Sequence, residues 1–516
     1  MAHGSTPNRL SRRAFLRAAA SGVGVGFLAA CGGTPPAAEP TTAPAAPAAT
    51  AAPAATTAPA ATTAPAATAA PNATAAPAAT AAPAPAPTNT PAPLPEGSAG
   101  KLTVIHRTEY FEEVQTIFRD TATKYAADNG IQLDISTANP EQFGDFNAKL
   151  QAAVQAGNPP DLAYTTLAIP QLYFLDVLED VSDVVEEAVK LYGDVVPATA
   201  KLNAQIDGKW WAVPFQANAG AWFARKDIFD AVGVDLTTLT DYESFRAAAL
   251  KASDPTKNMY GWGVTINKSG DGHGFINHVI LSFGGRFVNE TGEKVVLNSP
   301  ETVQAVTWLA ETYTSPTYAP MLPPGVLSWT DPTNNEAYLA GTVAFTSNAF
   351  SVYGKAKKDN NPVFPNTAVI LPPRANDGTL LHSGANGWFT ISKGAKNIDA
   401  AKKMILHMIN PENFTPMVKA GGGLFLPTYK NQWTDEILAV DPNFASLKEI
   451  IFNPTPFTAE AYPASPNAAT ANINGQAIPS QMMSNIINGA MTPAQAVEDA
   501  HKKLVQIFEE LGLPQA

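Results

Sequence analysis

Cysteine is almost missing from this chain: Cys31 is the only one in 516 residues. A single thiol makes no intrachain disulfide and builds no thiolate metal site. Charge is sparse too, at 15% of residues, with 45 acids against 33 bases and a formal net charge of −12. Beyond Arg17 there is no Lys/Arg cluster, so the electrostatic footprint of a nucleic-acid binder is absent. No later apolar run approaches the roughly 20 residues of a membrane span. The chain has no Gly-x-Ser-x-Gly elbow, no phosphate-cradling Gly-Lys-Ser/Thr loop and no His-Glu-x-x-His pair, which removes the commonest hydrolase and nucleotide-binding signatures. Gly421-Gly422-Gly423 lacks a strand before it and a phosphate-loop lysine after it. It reads as a turn ahead of Leu426-Pro427-Thr428.

Histidine is rare as well, and the best metal-like grouping is Asp271, His273 and His278. The histidines are five apart, so they do not share a helix face as an i, i+4 pair would. Gly270, Gly272 and Gly274 predict a flexible loop around them. This favours a polar ligand contact from Asp271 or His273 over a metal, and no metal or cofactor is expected.

What is present begins at the N-terminus. Arg9, Arg12, Arg13 and Arg17 stand there without an acid. A short apolar stretch follows, from Ala18 to Ala30, diluted by Gly22, Gly24 and Gly26. It is too short to span a bilayer. The run Ser11-Arg12-Arg13-Ala14-Phe15-Leu16-Arg17 and the ending Leu28-Ala29-Ala30-Cys31 resemble a bacterial lipoprotein signal with a twin-arginine export motif. That resemblance implies cleavage of residues 1–30 and lipid on Cys31. The protein would then sit outside the cytoplasmic membrane, anchored to its outer face. Two acyl chains anchor firmly where one is marginal. Residues 31–96 are Ala, Pro and Thr with almost nothing else, and Glu39 and Glu96 carry the only charges. Such a tract has no apolar period from which to build a core. Its prolines favour extended segments of roughly 3 Å per residue, so it reads as a disordered spacer.

The remaining chain is too long for one core and suits two domains. Lys101 to Ile105 reads as a strand, and Phe111, Val114, Phe118 and Tyr125 then recur at helical spacing up to Gly130. Ile131, Leu133 and Ile135 alternate as a second strand. Phe143, Phe146, Leu150 and Val154 mark a helix, and Asp161 to Tyr164 a third strand. This tempo predicts a parallel sheet wrapped by helices, with ligands beyond the carboxyl ends of the strands. Further on, Thr240 with Glu243 reads as a capping box, and Ser299-Pro300 and Thr492-Pro493 with Gln495 as helix starts. Trp308 belongs to a helical apolar repeat and reads as core, as Trp433 reads as packing.

The order of segments over 101–510 resembles the extracellular solute-binding proteins of ATP-driven importers, in the large group that includes maltose-binding proteins. Ala156-Gly157-Asn158-Pro159-Pro160-Asp161 is similar to the turn before the third strand of that family. Asp207-Gly208-Lys209-Trp210-Trp211-Ala212-Val213-Pro214-Phe215 is similar to its first crossing between lobes, and Phe223 to Phe229 to the strand and turn that follow. Gly284-Gly285, Leu297-Asn298-Ser299-Pro300 and Gly341-Thr342-Val343-Ala344-Phe345 fall in the same order. Gly387-Trp388-Phe389-Thr390-Ile391-Ser392 resembles the return strand. Ala224 departs from the pattern: many relatives carry an aromatic there, and its absence removes one stacking surface and would widen the cleft.

The resemblance implies an α/β fold of the two-lobed, periplasmic-binding-protein type II kind, with a hinge and an interlobe cleft. Lobe one would be 101–215 plus 388–430, and lobe two 216–387 plus 431–516. The implied function is capture of a solute, a sugar or oligosaccharide, by hinge closure, and delivery to an ABC transporter permease by a monomer without catalysis. Sugars need aromatic faces for their C–H surfaces and polar groups for their hydroxyls. The candidates at strand ends are Glu109 and Tyr110, Thr165 and Thr166, Gln216 and Asn218, Asn348, Phe350 and Tyr353, and Asn386 and Trp388, with Trp210, Asp271 and His273 beside them. Of Trp210 and Trp211, one is expected to face out, because adjacent strand side chains point to opposite faces. The candidate loops hold mostly amides, hydroxyls and single aromatics, which favours a sugar over a peptide, polyamine or ferric ion. A secreted glycosidase with two carboxylates about 5–10 Å apart is the enzyme alternative.

Overall fold

The computed structural model describes residues 97–138, 143–381, 385–455 and 457–515. The signal segment 1–30, Cys31 and the tract 31–96 lie outside the described residues.

Two sheets organise the chain. The strands are, in order, β1 (Lys101–Arg107), β2 (Gln132–Ala138), β3 (Leu162–Thr165), β4 (Gln205–Ile206), β5 (Lys209–Trp210), β6 (Val213–Ala217), β7 (Gly220–Arg225), β8 (Tyr260–Trp262), β9 (Val343–Ala349), β10 (Thr367–Ile370) and β11 (Ala385–Ile391). The first sheet has the order β2-β1-β3-β11-β6, and the second β10-β7-β9-β8; β4 and β5 form a separate ribbon. β1 runs parallel to β2 and β3, whereas β11 returns antiparallel between β3 and β6. β1, β3 and β6 therefore end at one edge of the first sheet. That edge is where the chain crosses, through Asn218 and Ala219, into β7. In the second sheet, β7 is antiparallel to β9 and β8 parallel to it. The start of β7 and the carboxyl ends of β8 and β9 thus share an edge beside the same crossing. The second crossing, from β10 back towards β11, runs through 371–381 among the described residues.

Inner strands are apolar on both faces because helices cover both sides, as a mainly parallel sheet requires. β3 and β6 are buried along their whole length. In the second sheet Trp222 is packed by Trp262, Phe245 and Phe345 at ring separations of 5.1, 4.9 and 5.7 Å. Trp308 and Trp433 are buried, as the apolar pattern predicts. Two contacts between the lobes, among others, flank the crossings in the described residues. On the crossing side, the helix Ser351–Lys358 lies against Phe111 and Gly422, and Lys358 Nζ reaches Glu113 Oε2 at 2.9 Å. On the other, the helix Ala468–Gly475 packs on the helix Ile169–Phe174.

The capping box expected at Thr240 and Glu243 lies one residue on. Asp241 caps the helix Tyr242–Lys251 by accepting from Ser244 N, while Ser244 Oγ accepts from Asp241 N. Ser299 and Thr492 cap their helices as expected.

One carboxylate ties the first lobe together. Asp161 is fully buried. Its Oδ2 accepts from Thr103 N, Thr103 Oγ1 and Asn397 Nδ2, and its Oδ1 from Lys396 N and Asn397 N, all at 2.9 Å. β1, the start of β3 and the turn after β11 thus meet on one side chain. Asp161→Ala would strand these donors without water. It is expected to cost about 3–5 kcal/mol, and Thr103→Val about 1–2 kcal/mol, in urea unfolding. Equal and small losses for both would show that the carboxylate is not the joint described.

Candidate functional site

A cavity of about 260 Å³ opens at the crossing-side edge of the second sheet. Its floor is the start of β7, at Gly220, Ala221 and Trp222, and the end of β9, at Ser347, Asn348 and Ala349. One wall is the helix Gly270–Ser282, which presents Asp271, Gly274, Phe275 and His278. Tyr242, Pro372, Leu381 and Phe457 complete the lining. The walls are largely aromatic and aliphatic, with a few convergent polar groups, the usual make-up of a small-molecule site.

The segment read as a flexible loop at Gly270, Gly272 and Gly274 is the first part of this helix. Two caps hold it. Ser269 Oγ accepts from Gly272 N at 3.2 Å. The Asp331 carboxylate, from another helix, accepts from Gly270 N at 3.1 Å and Asp271 N at 2.9 Å. Anionic acceptors at a helix N-terminus satisfy its free N–H groups and complement its dipole. Once the segment is helical, Asp271, Gly274, Phe275 and His278 fall at i, i+3, i+4 and i+7 on one face.

Asp271 is the charged centre of the cavity. Its Oδ2 accepts from Asn334 Nδ2 at 3.0 Å and Asn348 Nδ2 at 2.9 Å. Both amide bonds fall on Oδ2, so Oδ1 has no hydrogen-bond donor among the described residues. Burial, reinforced by the negative charge of Asp331, pushes the Asp271 carboxyl up to about 7, against the pull of Asn334. Asn348 also donates to Asn335 Oδ1 at 2.8 Å, so the amide geometry is fixed from two sides. Two turns along the same helix face, His278 Nε2 is 2.7 Å from Leu381 O and its Nδ1 2.6 Å from the Tyr242 hydroxyl. A carbonyl accepts only, so Nε2 carries the proton and Nδ1 accepts from Tyr242.

Of the residues singled out in the sequence, Asp271 and Asn348 line this cavity. His273 points elsewhere: it is buried with Nε2 2.6 Å from Glu460 Oε1 and Nδ1 3.2 Å from Ser480 Oγ. Glu460 also accepts from Asn277 and Asn474. Phe350 is buried against Gly423 and Phe223. The Tyr353 hydroxyl is 3.1 Å from both oxygens of Asp441 and 2.9 Å from Asn443 Nδ2. Both aromatics are therefore engaged by other protein groups, Phe350 against Gly423 of the first lobe and Tyr353 within the second. Trp210 and Trp388 are buried in the first lobe, and Trp211 is half-buried against Tyr173. Gln216 is buried between the Leu424 carbonyl and the Tyr164 hydroxyl. Thr165 uses its hydroxyl on Leu167 N, and Thr166 and Asn218 are half-buried at strand ends. Glu109 follows β1 with 9% of its side chain exposed, 3.4 Å from Arg107 Nε. Burial raises its carboxyl pKa against the opposing pull of Arg107. Tyr110 is exposed beside Phe111. Asn386 stands in β11, and its side chain lies outside the described residues. Ala224 is fully buried between β9 and β10 and is not part of the cavity.

The lining residues that sequence reading missed include Trp222, Tyr242, Phe275, Ser347, Pro372, Leu381 and Phe457, with Gly274 noted only as a loop glycine and His278 only as a metal candidate. The i, i+3, i+4, i+7 pattern of the Gly270–Ser282 helix was the available signal for four of the lining positions.

The chain belongs to the bacterial extracellular solute-binding protein family, whose model matches residues 120–445. A curated relative in Deinococcus radiodurans, a probable ABC transporter-binding protein, is 22% identical over 312 residues, 59% of this chain and 70% of the relative. The fold is shared with solved structures. The Thermotoga maritima protein MalE3, with maltose bound, has a TM-score of 0.66 at 19% identity, covering 79% of this chain and 99% of its own. An ABC transporter solute-binding protein of Thermotoga lettingae, with α-D-tagatose bound, has a TM-score of 0.65 at 18% identity, covering 80% and 100%. One of Agrobacterium vitis, with D-mannitol bound, has a TM-score of 0.64 at 18% identity over the same shares.

The raised Asp271 pKa has a consequence for stability. The folded carboxyl holds its proton up to about pH 7, whereas an unfolded one releases it near 4. The stabilisation from that proton is complete below pH 4 and is lost as pH rises towards 7 and beyond. Ligand-free wild type is therefore expected to lose more melting temperature between pH 5 and pH 8 than Asp271→Asn does. Identical pH profiles would show that Asp271 is not held protonated.

Proposed function

We propose that this solute-binding protein captures a small neutral polyhydroxylated solute, a sugar or sugar alcohol, and hands it to the permease of an ABC importer. The observation that carries the reading is the cavity itself. Trp222, Phe275 and Phe457 offer flat apolar surface, and Asp271, Ser347 and Asn348 offer donors and acceptors for hydroxyls. A carboxyl whose pKa is raised to about 7 suits a neutral ligand better than a cation, which would need a standing negative charge. The solved relatives bound to tagatose, maltose and mannitol support the same class.

The first lobe supplies the facing wall. Glu109, Tyr110, Thr165, Thr166 and Asn218 follow or end strands at the edge of the first sheet beside the crossing, opposite the cavity. Lobes spanning 101–215 plus 388–430 and 216–387 plus 431–516 close on the ligand about the crossings, and the closed monomer docks on the permease. Lipid on Cys31 holds the protein at the outer face of the cytoplasmic membrane, and 31–96 spaces it away. Asn386 and Trp388 act at the second crossing, and Phe350, Tyr353, Trp210, Gln216 and His273 act by positioning.

A thermal-shift screen against monosaccharides, sugar alcohols, disaccharides, polyamines and peptides tests the ligand class. One of the first three is expected to raise the melting temperature by mass action on the folded state. Asp271→Ala is expected to weaken that ligand about three- to tenfold through one lost hydrogen bond. Stabilisation by polyamines or peptides alone would overturn the sugar reading and keep the clamp. The anchor is tested separately: Cys31→Ser is expected to move the protein from the membrane fraction to the soluble one, and unchanged fractionation would remove the lipid.

A further inference from the structure

Three glycines open the cavity-lining helix, and two have a reason inside the protein. A β-carbon on Gly270 would stand 3.0 Å from Asp331 Oδ2, and one on Gly272 would stand 2.2 Å from Asn267 O. Gly274 has no such neighbour. Among the described residues nothing lies within 4 Å of its β-carbon position, and its φ is not in the left-handed region. It sits past the first turn of the helix, where glycine is less favourable than alanine. Its bare backbone is part of the cavity wall, flanked on the same face by Asp271, Phe275 and His278. Gly475, at the end of the helix Ala468–Gly475, also has open space around it, but it is exposed and takes no part in the cavity.

We infer that Gly274 is the specificity-determining residue of this cavity. Its missing side chain leaves a strip of helix backbone against which the solute lies, between the Asp271 carboxyl and the Phe275 ring. The inference rests on the sugar reading above and narrows it. At about 260 Å³ the cavity is smaller than the roughly 300–1,000 Å³ of pockets for drug-sized ligands. That volume matches one sugar ring or one open-chain polyol, the preferred ligand. Filling the space over Gly274 removes that ligand while sparing the fold.

Calorimetric titration of D-tagatose, D-mannitol, ribitol and maltose into wild type, Gly274→Ala, Gly274→Leu and Gly475→Ala tests this. Wild type is expected to bind a monosaccharide or polyol more tightly than maltose. Gly274→Leu should weaken that ligand by about 10–100-fold, the cost of overpacking a fitted space. Gly274→Ala should weaken it less, while raising the ligand-free melting temperature by about 1–3 °C through helix propensity. Gly475→Ala should keep the affinity of wild type. A circular-dichroism melt identifies any variant that fails to fold, and Gly274→Ala, which favours the helix, then decides alone. Wild-type affinity retained in the Gly274 variants overturns the assignment and leaves the sugar reading standing. Tightest binding of maltose overturns the size preference. Wild type that binds none of the four overturns the sugar reading, and this inference with it.

Discussion

A buried carboxylate with all its donors supplied is the constraint on which the first lobe depends. Asp161 takes five hydrogen bonds from Thr103, Lys396 and Asn397, the last of them 236 residues further along the chain. A charge this buried is tolerated only when its lone pairs are fully occupied. The donors are mostly backbone N–H groups, so the contact fixes main-chain position as well as side chains. It places the start of β3 against β1 and brings the turn after β11 to the same point. The sheet is then complete only when the distant return strand is home, which makes a discontinuous lobe cooperative. Closing so long a loop is entropically less costly than its length implies, because the penalty grows only logarithmically.

With the first sheet fixed, the crossings set where the second can stand. Asn218 and Ala219 are the whole link between β6 and β7, too short for the two edges to part far. The helix Ser351–Lys358 makes the matching contact from the second lobe. A β-carbon on Gly354 would stand 3.0 Å from both the Gly422 carbonyl oxygen and the Phe111 ring. Backbone therefore meets backbone there without an intervening side chain. The helix Ala468–Gly475 packs on the helix Ile169–Phe174 and makes a second contact between the lobes.

Much of the first sheet was legible because its strands are buried on both faces and read as short apolar runs, and Ser299 and Thr492 were legible because capping is local chemistry. The capping box at Asp241 and Ser244 was misplaced by one residue because Thr240, Asp241, Glu243 and Ser244 crowd together, and each fits one role. The glycine-rich start of the cavity helix was not legible for a different reason. Propensity argues for a loop, and the group that overrides it, Asp331, lies 60 residues away. Phe350 and Tyr353 looked like ligand surfaces because they follow a strand end. Their fates are decided by Gly423 and Asp441, partners that no window around them contains. Trp222, Tyr242 and Phe457 reach one cavity from three separate segments, and only the packed sheet and helices bring them together.

Charge at the cavity follows from the same assembly. Asp331 is placed to cap the helix Gly270–Ser282, and its carboxylate then stands beside Asp271. Two carboxylates so close, one of them buried, do not both ionise readily, and the proton stays on Asp271 up to about pH 7. The two amides that hold Asp271 use only Oδ2, so the other oxygen can pair with a hydroxyl. In its protonated state the carboxyl can also donate. A hydroxyl both donates and accepts, and so it can match the carboxyl in either state, whereas an ammonium group only donates and would have to displace the proton first. On the proposed reading, the residue that caps the helix also biases the cavity towards a neutral polyhydroxylated ligand.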